Sequence, residues 1–336
     1  MNTSHADTPH ADSTMRAVTQ HQYGTVGTWQ LRDIARPTPG AKEVLVEVRA
    51  AAVDMGTWHL MVGEPLVARV ALGLRRPRNP VPGLDVAGVV AAVGADVTGL
   101  RVGDRVFGVG RGSFAQYTVS RQGALAVTPS NVADAQAAAV PVSGATAWQA
   151  LHKVAKVQSG QSVVVVGAGG GVGSYAVQIA KAAGATVTGV CSTGKVDLVR
   201  SLGADDVIDY TATDFADGSR QWDVIIDTGG NRTIRHLRRA LAPKGTLVLV
   251  GAEGGGKWLG PLGRSLRAVA LSPFLGQRLA MFVATTRATD LERLAELLQS
   301  GALVPAVDST YPLEQAADAM RRLESGRVRG KVVLTV

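Results

Sequence analysis

One cysteine, Cys191, stands in 336 residues. A single thiol excludes an intrachain disulfide framework and any thiolate-rich metal site, so nothing points to an oxidising compartment and a reducing cytoplasm is the default expectation. Aromatic residues are also scarce, at 4%, and charge runs without interleaved aromatics are weak grounds for an RNA-binding face. The leader MNTSHADTPHADST has neither the basic start nor the apolar core of a secretory signal. It reads as a disordered tail over residues 1–14, with Met15 as an alternative start.

Glycine is abundant, with 40 residues, and 46% of the chain is hydrophobic against 18% charged, an α/β enzyme profile with length for about two domains. The formal charge of +8 suits a nucleic-acid partner, a membrane surface or a polyanionic phosphate cofactor. Basic residues concentrate in GLRRPR (73–78) and NRTIRHLRR (231–239). In the second, Arg232, Arg235, Arg238 and Arg239 recur at helical spacing and read as a solvated helix face.

The rhythm of the chain changes near residue 140. Before it, EVLVEVRAAAVD (43–54), VAGVVAAVG (86–94) and RVGDRVFGVG (101–110) are short strands bounded by tight turns. After it, valine-rich runs alternate with helical segments: SVVVVG then VGSYAVQIAKAAG, TVTGV then VDLVRSLG, DVIID then IRHLRRALAP, then TLVLVG. Continuously apolar strands imply a parallel sheet covered on both faces. A helix over DLERLAELLQSG, with Leu291, Leu294, Leu297 and Leu298 on one side, ends at Gly301. The last residues resume strand and helix and are expected to rejoin the first domain. The expected division is 15–136 for a β-rich domain, 137–302 for a doubly wound domain and 303–336 for the return.

The charge-free run from Val157 to Ala180 is long enough to cross a membrane, yet five glycines between 167 and 173 make it a poor spanning helix. A strand, a tight turn against a pyrophosphate and a helix whose first amides bind it account for those glycines. Ala168-x-Gly170-x-x-Gly173 reads as a variant of the dinucleotide fingerprint. An NAD site places a carboxylate at the end of the second strand to hold the ribose 2′-hydroxyl. Here that turn carries Ser192, Thr193 and Lys195, and the first acid, Asp197, lies on the following helix. Hydroxyls and an ammonium attract a 2′-phosphate, so NADPH is the expected cofactor.

Several further segments occur in a fixed order: MRAVTQHQYG, PTPGAKEVLVEVRAAAVD, NPVPGLDVAGVVAAVG, GDRVFG, AVPVSGATAWQAL, the glycine run, SLGADDVIDY and the ending GKVVLTV. From Met15 onward the chain resembles the medium-chain dehydrogenase/reductase superfamily, and within it the zinc-independent quinone oxidoreductase branch. The resemblance implies a GroES-like substrate domain made from both chain ends, a Rossmann NADPH-binding domain between them, and a homodimer. It further implies hydride transfer to a quinone or α,β-unsaturated carbonyl. Zinc-binding members carry Gly-His-Glu where this chain has Gly83-Leu84-Asp85, and AAVDMGTW around Val53 offers no cysteine. The chain is therefore expected to hold no metal.

By the same resemblance Thr146 lies against the nicotinamide and Gly170, Gly171 and Val172 form the pyrophosphate turn. Ser192, Lys195 and Tyr210 hold the 2′-phosphate and adenosine, Gly251 and Ala252 flank the nicotinamide, and Lys331 reaches the cofactor phosphates. Relatives often have an asparagine where this chain has Asp54; the carboxyl either faces the substrate or caps a turn. His59, beside Trp58, is a candidate proton donor or a structural residue. Other readings stay open: reduction of an enoyl thioester or other activated alkene, or a protein that binds NADPH without turnover and interacts with RNA through its arginine face.

Overall fold

The computed structural model describes residues 14–250, 258, 262–272 and 275–336. The tail expected over 1–14 lies outside them except for Thr14, which already pairs with Ala35. β1 (Thr14–Thr19) and β2 (Gln30–Ala35) form a two-stranded antiparallel sheet. β3 (Glu43–Val53), β4 (Asp85–Val93), β5 (Arg105–Val109), β6 (Tyr117–Arg121) and β7 (Leu125–Val127) then build most of a mixed sheet. In β3, Glu47 and Arg49 face outward between buried Val46, Val48 and Ala50, after which Ala50 to Val53 are buried on both faces. That switch marks where the strand leaves the surface and enters the middle of the molecule.

The second half is a parallel sheet of six strands: β8 (Ser162–Val166), β9 (Thr186–Cys191), β10 (Asp206–Asp209), β11 (Trp222–Asp227), β12 (Leu241–Leu249) and β13 (Arg278–Met281). Their order is β10-β9-β8-β11-β12-β13. Successive valines of β8 serve opposite faces. Val163 and Val165 join Tyr175, Ile179 and Leu294 in one core, whereas Val164 and Val166 join Ile225, Leu237 and Leu247 in another. Burial on both faces is what the unbroken apolar run encodes. Each Leu or Ile so buried contributes about 1.5–3 kcal/mol.

On the helix Ala288–Gln299, Leu291, Leu294 and Leu298 are buried, and Gly301 at φ +75° turns the chain beyond its end. The expected helix over IRHLRRALAP is shorter. It stops at Arg239, and Leu241 already pairs with Trp222 as the start of β12. The Trp222 amide donates to the Ala240 carbonyl at 2.9 Å, so sheet pairing takes the chain from the helix before its arginine-rich pattern ends.

β14 (Val307–Pro312) and β15 (Lys331–Thr335) return to the mixed sheet, with order β14-β15-β3-β4-β5-β7 and β6 also on β3. Val333 lies opposite Ala52 and Leu334 opposite Ala51, which makes this a GroES-like domain formed from both chain ends beside a Rossmann sheet. Ala50, Ala52 and Phe107 of the first domain share one apolar cluster with Val163, Ile226 and Leu294 of the second, so the walls of the cleft between them are held by common packing. Among the described residues, no helix is long and apolar enough to cross a membrane.

Candidate functional site

β8 stands where the strand order reverses, with β9 on one side and β11 on the other. Open parallel sheets bind ligands at this point, beyond the carboxyl ends of the strands. A cleft of about 450 Å³ opens there and is lined from both domains, by Asp54, Met55 and His59 on one side and by Gly169 to Val172 on the other. Gly167 makes the turn out of β8 with φ +86°, a conformation L side chains rarely adopt, and a Cβ there would sit 2.5 Å from Thr228 Oγ1. Gly173 has no room either, since a Cβ would overlap the Gly167 carbonyl oxygen.

Between them Gly170 precedes the twelve-residue helix Gly171–Ala182 and no side chain caps it. The amides of its first turn are left for an anion, reinforced by the helix dipole. Gly170, Gly171 and Val172 line the cleft as expected residues of this turn. Ala168 does not. It is fully buried, its Cβ would face one built on Gly189 at 3.1 Å, and its amide donates to Val190. The position that requires glycine for its backbone is Gly167, one residue before the reading of the fingerprint, and Ala168 serves the sheet rather than the cleft.

At the far end lie Ser192, Lys195 and Tyr210, together with Arg232, whose guanidinium sits 5.3 Å from the centroid of the half-exposed Tyr210 ring. The Lys195 ammonium donates to the Gly326 carbonyl at 3.3 Å. Arg232 was legible in the sequence only as part of a solvated helix face; it precedes the helix Ile234–Arg239 and faces the cleft instead. The other arginines of that run behave differently, with Arg238 donating to Gln277 at 2.8 Å and Arg239 lying 3.8 Å from Asp214. A carboxylate does end β10, at Asp209, but it accepts from the Thr193 hydroxyl at 2.6 Å and from the Thr211 amide and hydroxyl. Those bonds hold its carboxyl below the usual range and keep it off the cleft wall.

The opposite end is built by the helices Met55–Val62 and Pro141–Trp148. Thr146 lines the cleft with its hydroxyl donating back to the Val142 carbonyl at 2.6 Å. Asp54 is the N-cap of the first helix, its Oδ1 accepting from the Thr57 amide at 2.6 Å. Its Oδ2 is buried and has no hydrogen-bond partner among the described residues. Of the two readings of Asp54, the cap is realised, and the residue also contributes to the cleft wall. His59 places Nδ1 2.9 Å from the Glu64 carbonyl, which makes that nitrogen the protonated one; burial, only partly offset by that bond and by Asp54, lowers its pKa. Cys191 is buried, and burial raises its thiol pKa. Val250 lines the cleft, whereas the expected nicotinamide neighbours Gly251 and Ala252 fall outside the described residues.

Lys331 lines the same cleft, and its side chain passes beside Gly171 of the turn, where an added Cβ would lie 3.3 Å from it. Its ammonium lies 3.1 Å from Asp85 Oδ2 and 3.2 Å from Ser143 Oγ, with 2% of the side chain exposed. A buried ammonium requires a counter-charge, and Asp85, completely buried on β4, is the one at hand. The second oxygen of Asp85 accepts from the Val142 amide at 2.7 Å, in the first turn of the helix that carries Thr146. Burial pushes the Asp85 carboxyl up to about 7, against the pull of Lys331. A lone charge within the apolar segment NPVPGLDVAGVV was the signal for this pair, although sequence reasoning used Asp85 only to argue the loss of a zinc motif.

The described donors around the cleft do not fit a zinc ion. Asp85 is engaged by Lys331 and Val142, Asp54 Oδ1 by Thr57 and His59 Nδ1 by Glu64, while Leu84 offers no donor. Among the described residues, no group of three His, Cys, Asp or Glu side chains is placed to hold a metal.

Two family models match the chain: "Alcohol dehydrogenase GroES-like domain" over residues 40–130 and "Zinc-binding dehydrogenase" over residues 202–334. The 2-methylene-furan-3-one reductase of Solanum lycopersicum is 34% identical over 96% of this chain and 79% of its own length. The NADPH-dependent alkenal/one oxidoreductase, chloroplastic, of Arabidopsis thaliana is 34% identical over 95% of this chain and 79% of its own. Among solved structures, the quinone oxidoreductase from Coxiella burnetii superposes with a TM-score of 0.84 at 26% identity, covering 96% of this chain and 99% of the other.

Proposed function

Because this chain belongs to the medium-chain dehydrogenase/reductase family, in its quinone oxidoreductase branch, we propose that it is an NADPH-dependent, zinc-independent oxidoreductase that reduces quinones or α,β-unsaturated carbonyl compounds. The observation that carries this reading is the single cleft that runs from the uncapped helix start at Gly170 to Ser192, Lys195, Tyr210 and Arg232 in one direction and to Thr146 and Asp54 in the other. The names of the relatives point the same way, one to NADPH and an alkenal or enone, another to a quinone.

In this reading Gly170, Gly171 and Val172 hold the pyrophosphate with backbone amides. Lys195 and Arg232 attract the 2′-phosphate, Ser192 donates to it, and the Tyr210 ring supports the adenine. Thr146 and Val142 form the wall against the nicotinamide. Lys331, in the cleft wall beside Gly171, adds positive charge near the phosphates and also neutralises Asp85, which holds the start of the helix bearing Thr146. When bound, the cofactor supplies a hydride from C4 of its nicotinamide. The acceptor is held against that carbon by Met55, the Asp54 segment and His59, and positioning of this kind removes up to roughly 7–11 kcal/mol of barrier. Hydride addition leaves an anion that needs one proton. The His59 imidazole has its pKa lowered and its Nδ1–H held by Glu64, so it is a poor acid at neutral pH. Water entering the open cleft delivers the proton. Because the described donors offer no ligand set for a Lewis acid, acceptors already activated by conjugation are favoured over simple aldehydes and ketones.

The domain division at about residues 136 and 302 belongs to the same proposal, as do a reducing compartment and a homodimer. Among the described residues β13 pairs with β12 alone and leaves a sheet edge open to a second copy. The test is the rate of NADPH oxidation with a panel of quinones, conjugated enones, enoyl thioesters and unconjugated aldehydes. Turnover is expected with the first two classes. Tight NADPH binding without turnover on any acceptor would replace this reading with a non-catalytic binding protein.

A further inference from the structure

Beside the cleft, on the segment that follows the helix Met55–Val62, apolar side chains face outward. Val67 is 46% exposed, Val70 68% and Leu74 70%. Val67, Val70 and the exposed Ala71 share the outer side of a short helical stretch, Leu66–Ala68 then Arg69–Leu72, and Leu74 follows just past the turn at Gly73. Trp258, 75% exposed, lies alongside, since its carbonyl accepts from the Val67 amide at 3.3 Å. Lone exposed apolar residues need no explanation, but four on one short segment with an adjacent tryptophan form a patch.

The patch is built rather than loose. The Tyr23 hydroxyl donates to the Gly73 carbonyl at 2.7 Å, and Arg69 donates to the Gly63 carbonyl at 2.8 Å while lying over the Tyr23 ring. Arg78 donates to the Val70 carbonyl at 3.3 Å and closes the turn. Between Pro65 and Leu84 there are four arginines and no acidic residue. Arg75 and Arg76 are exposed and pair with no carboxylate among the described residues.

We propose that this face docks peripherally on an anionic lipid surface. Valine, leucine and a solvent-facing tryptophan have nothing to offer a sugar-phosphate backbone, whereas they enter the boundary between headgroups and acyl chains, where tryptophan is favoured. Flanking guanidinium groups without a local acid complement lipid phosphates at the same level. The helix that carries Asp54 and His59 into the cleft leads directly into this segment, so docking brings the cleft's substrate side to the membrane surface. Because the face is independent of the chemistry in the cleft, the inference holds or fails separately from the proposed reaction.

The experiment is co-sedimentation of the whole protein with vesicles of phosphatidylcholine alone and of phosphatidylcholine doped with phosphatidylglycerol, at low and physiological salt. Wild type is expected to sediment with the anionic vesicles, less so as salt rises, and hardly at all with the neutral ones. Arg75→Gln with Arg76→Gln should weaken binding about tenfold or more, and Val70→Asp with Leu74→Asp should abolish it. A thermal midpoint equal to wild type checks that each variant is folded, and the arginine variant changes no packed side chain. The proposal is overturned if anionic vesicles recover no more protein than neutral ones. It is equally overturned if the patch is covered by a second copy, seen as a dimer that Leu74→Asp dissociates, or if single-stranded RNA displaces the vesicles and binds through the same arginines.

Discussion

The Lys331 ammonium and the Asp85 carboxylate meet at 3.1 Å where neither is more than 2% exposed, and they join the last strand of the chain to a strand laid down some 246 residues earlier. Breaking a buried pair by removing one partner leaves an uncompensated charge and costs about 3–5 kcal/mol. The sign of its pH dependence follows from Asp85, whose folded pKa of about 7 lies above its ordinary value of 3.8. Between those values the folded protein keeps a proton that the unfolded chain has released, so Asp85's contribution to stability falls as pH rises through that window and is level above it. In Lys331→Met the carboxyl can stay protonated below pH 7, and the loss of stability is small there. Above pH 7 the loss should grow toward the full value. Denaturant midpoints of wild type and variant at pH 6 and pH 9 measure this directly; a deficit independent of pH would mean that the pair is not ionised as drawn.

Cofactor choice should be decided at the far end of the cleft. Lys195→Glu replaces an attraction to the 2′-phosphate with a repulsion, and a change of this kind in a partly exposed site is expected to weaken NADPH binding about tenfold to a hundredfold while leaving NADH nearly untouched. Arg232→Ala should shift the same ratio in the same direction and also free the Tyr210 ring. Fluorescence titration of wild type and both variants with both nucleotides gives the six constants. Wild type binding NADH as tightly as NADPH would remove the basis for the phosphate site.

The turn itself can be tested without touching charge. A methyl group added at Gly173 would overlap the Gly167 carbonyl oxygen and force the helix away from β8. We expect Gly173→Ala to lower stability by about 1–3 kcal/mol and to abolish NADPH binding. Gly123→Ala, where nothing lies within 4 Å of the added methyl, is the control and should match wild type in both.

The parts of this molecule that were legible in the sequence are those set by local rules. Val163 to Val166 announce a doubly covered strand, Gly301 a helix end, and the glycines after Val166 a turn that approaches something closely. What escaped was decided by partners distant along the chain. Ala168 occupies a fingerprint position but packs into the core in the room that Gly189 leaves, and Gly167 takes the turn because Thr228 leaves no space for a side chain. The resemblance put Lys331 near the cofactor phosphates, but its partners Asp85 and Ser143 were not legible, because they are brought to it only by the closing of the sheet. Arg232 shared a helical spacing with its neighbours, and only its place before the helix, over Tyr210, separates it from them.

Asp54 combines a structural duty with a place in the cleft wall, and the two can be separated. Asparagine caps helices as well as aspartate does, so Asp54→Asn should keep stability close to wild type, whereas Asp54→Ala loses the bond to the Thr57 amide and about 1 kcal/mol, part of it regained by removing the unpartnered Oδ2. The charge acts on its surroundings as well, for it raises the pKa of both Asp85 and His59. Its removal should therefore lower the His59 titration seen by NMR. For the reaction, hydride addition builds negative charge on the acceptor's oxygen, and an amide in place of the carboxyl removes a repulsion and adds a donor. We expect Asp54→Asn to raise kcat/KM for quinones about fivefold, the equivalent of one ordinary hydrogen bond. If instead Asn and Ala lower kcat alike, the carboxyl itself supplies the proton, and Asp54 rather than water is the acid.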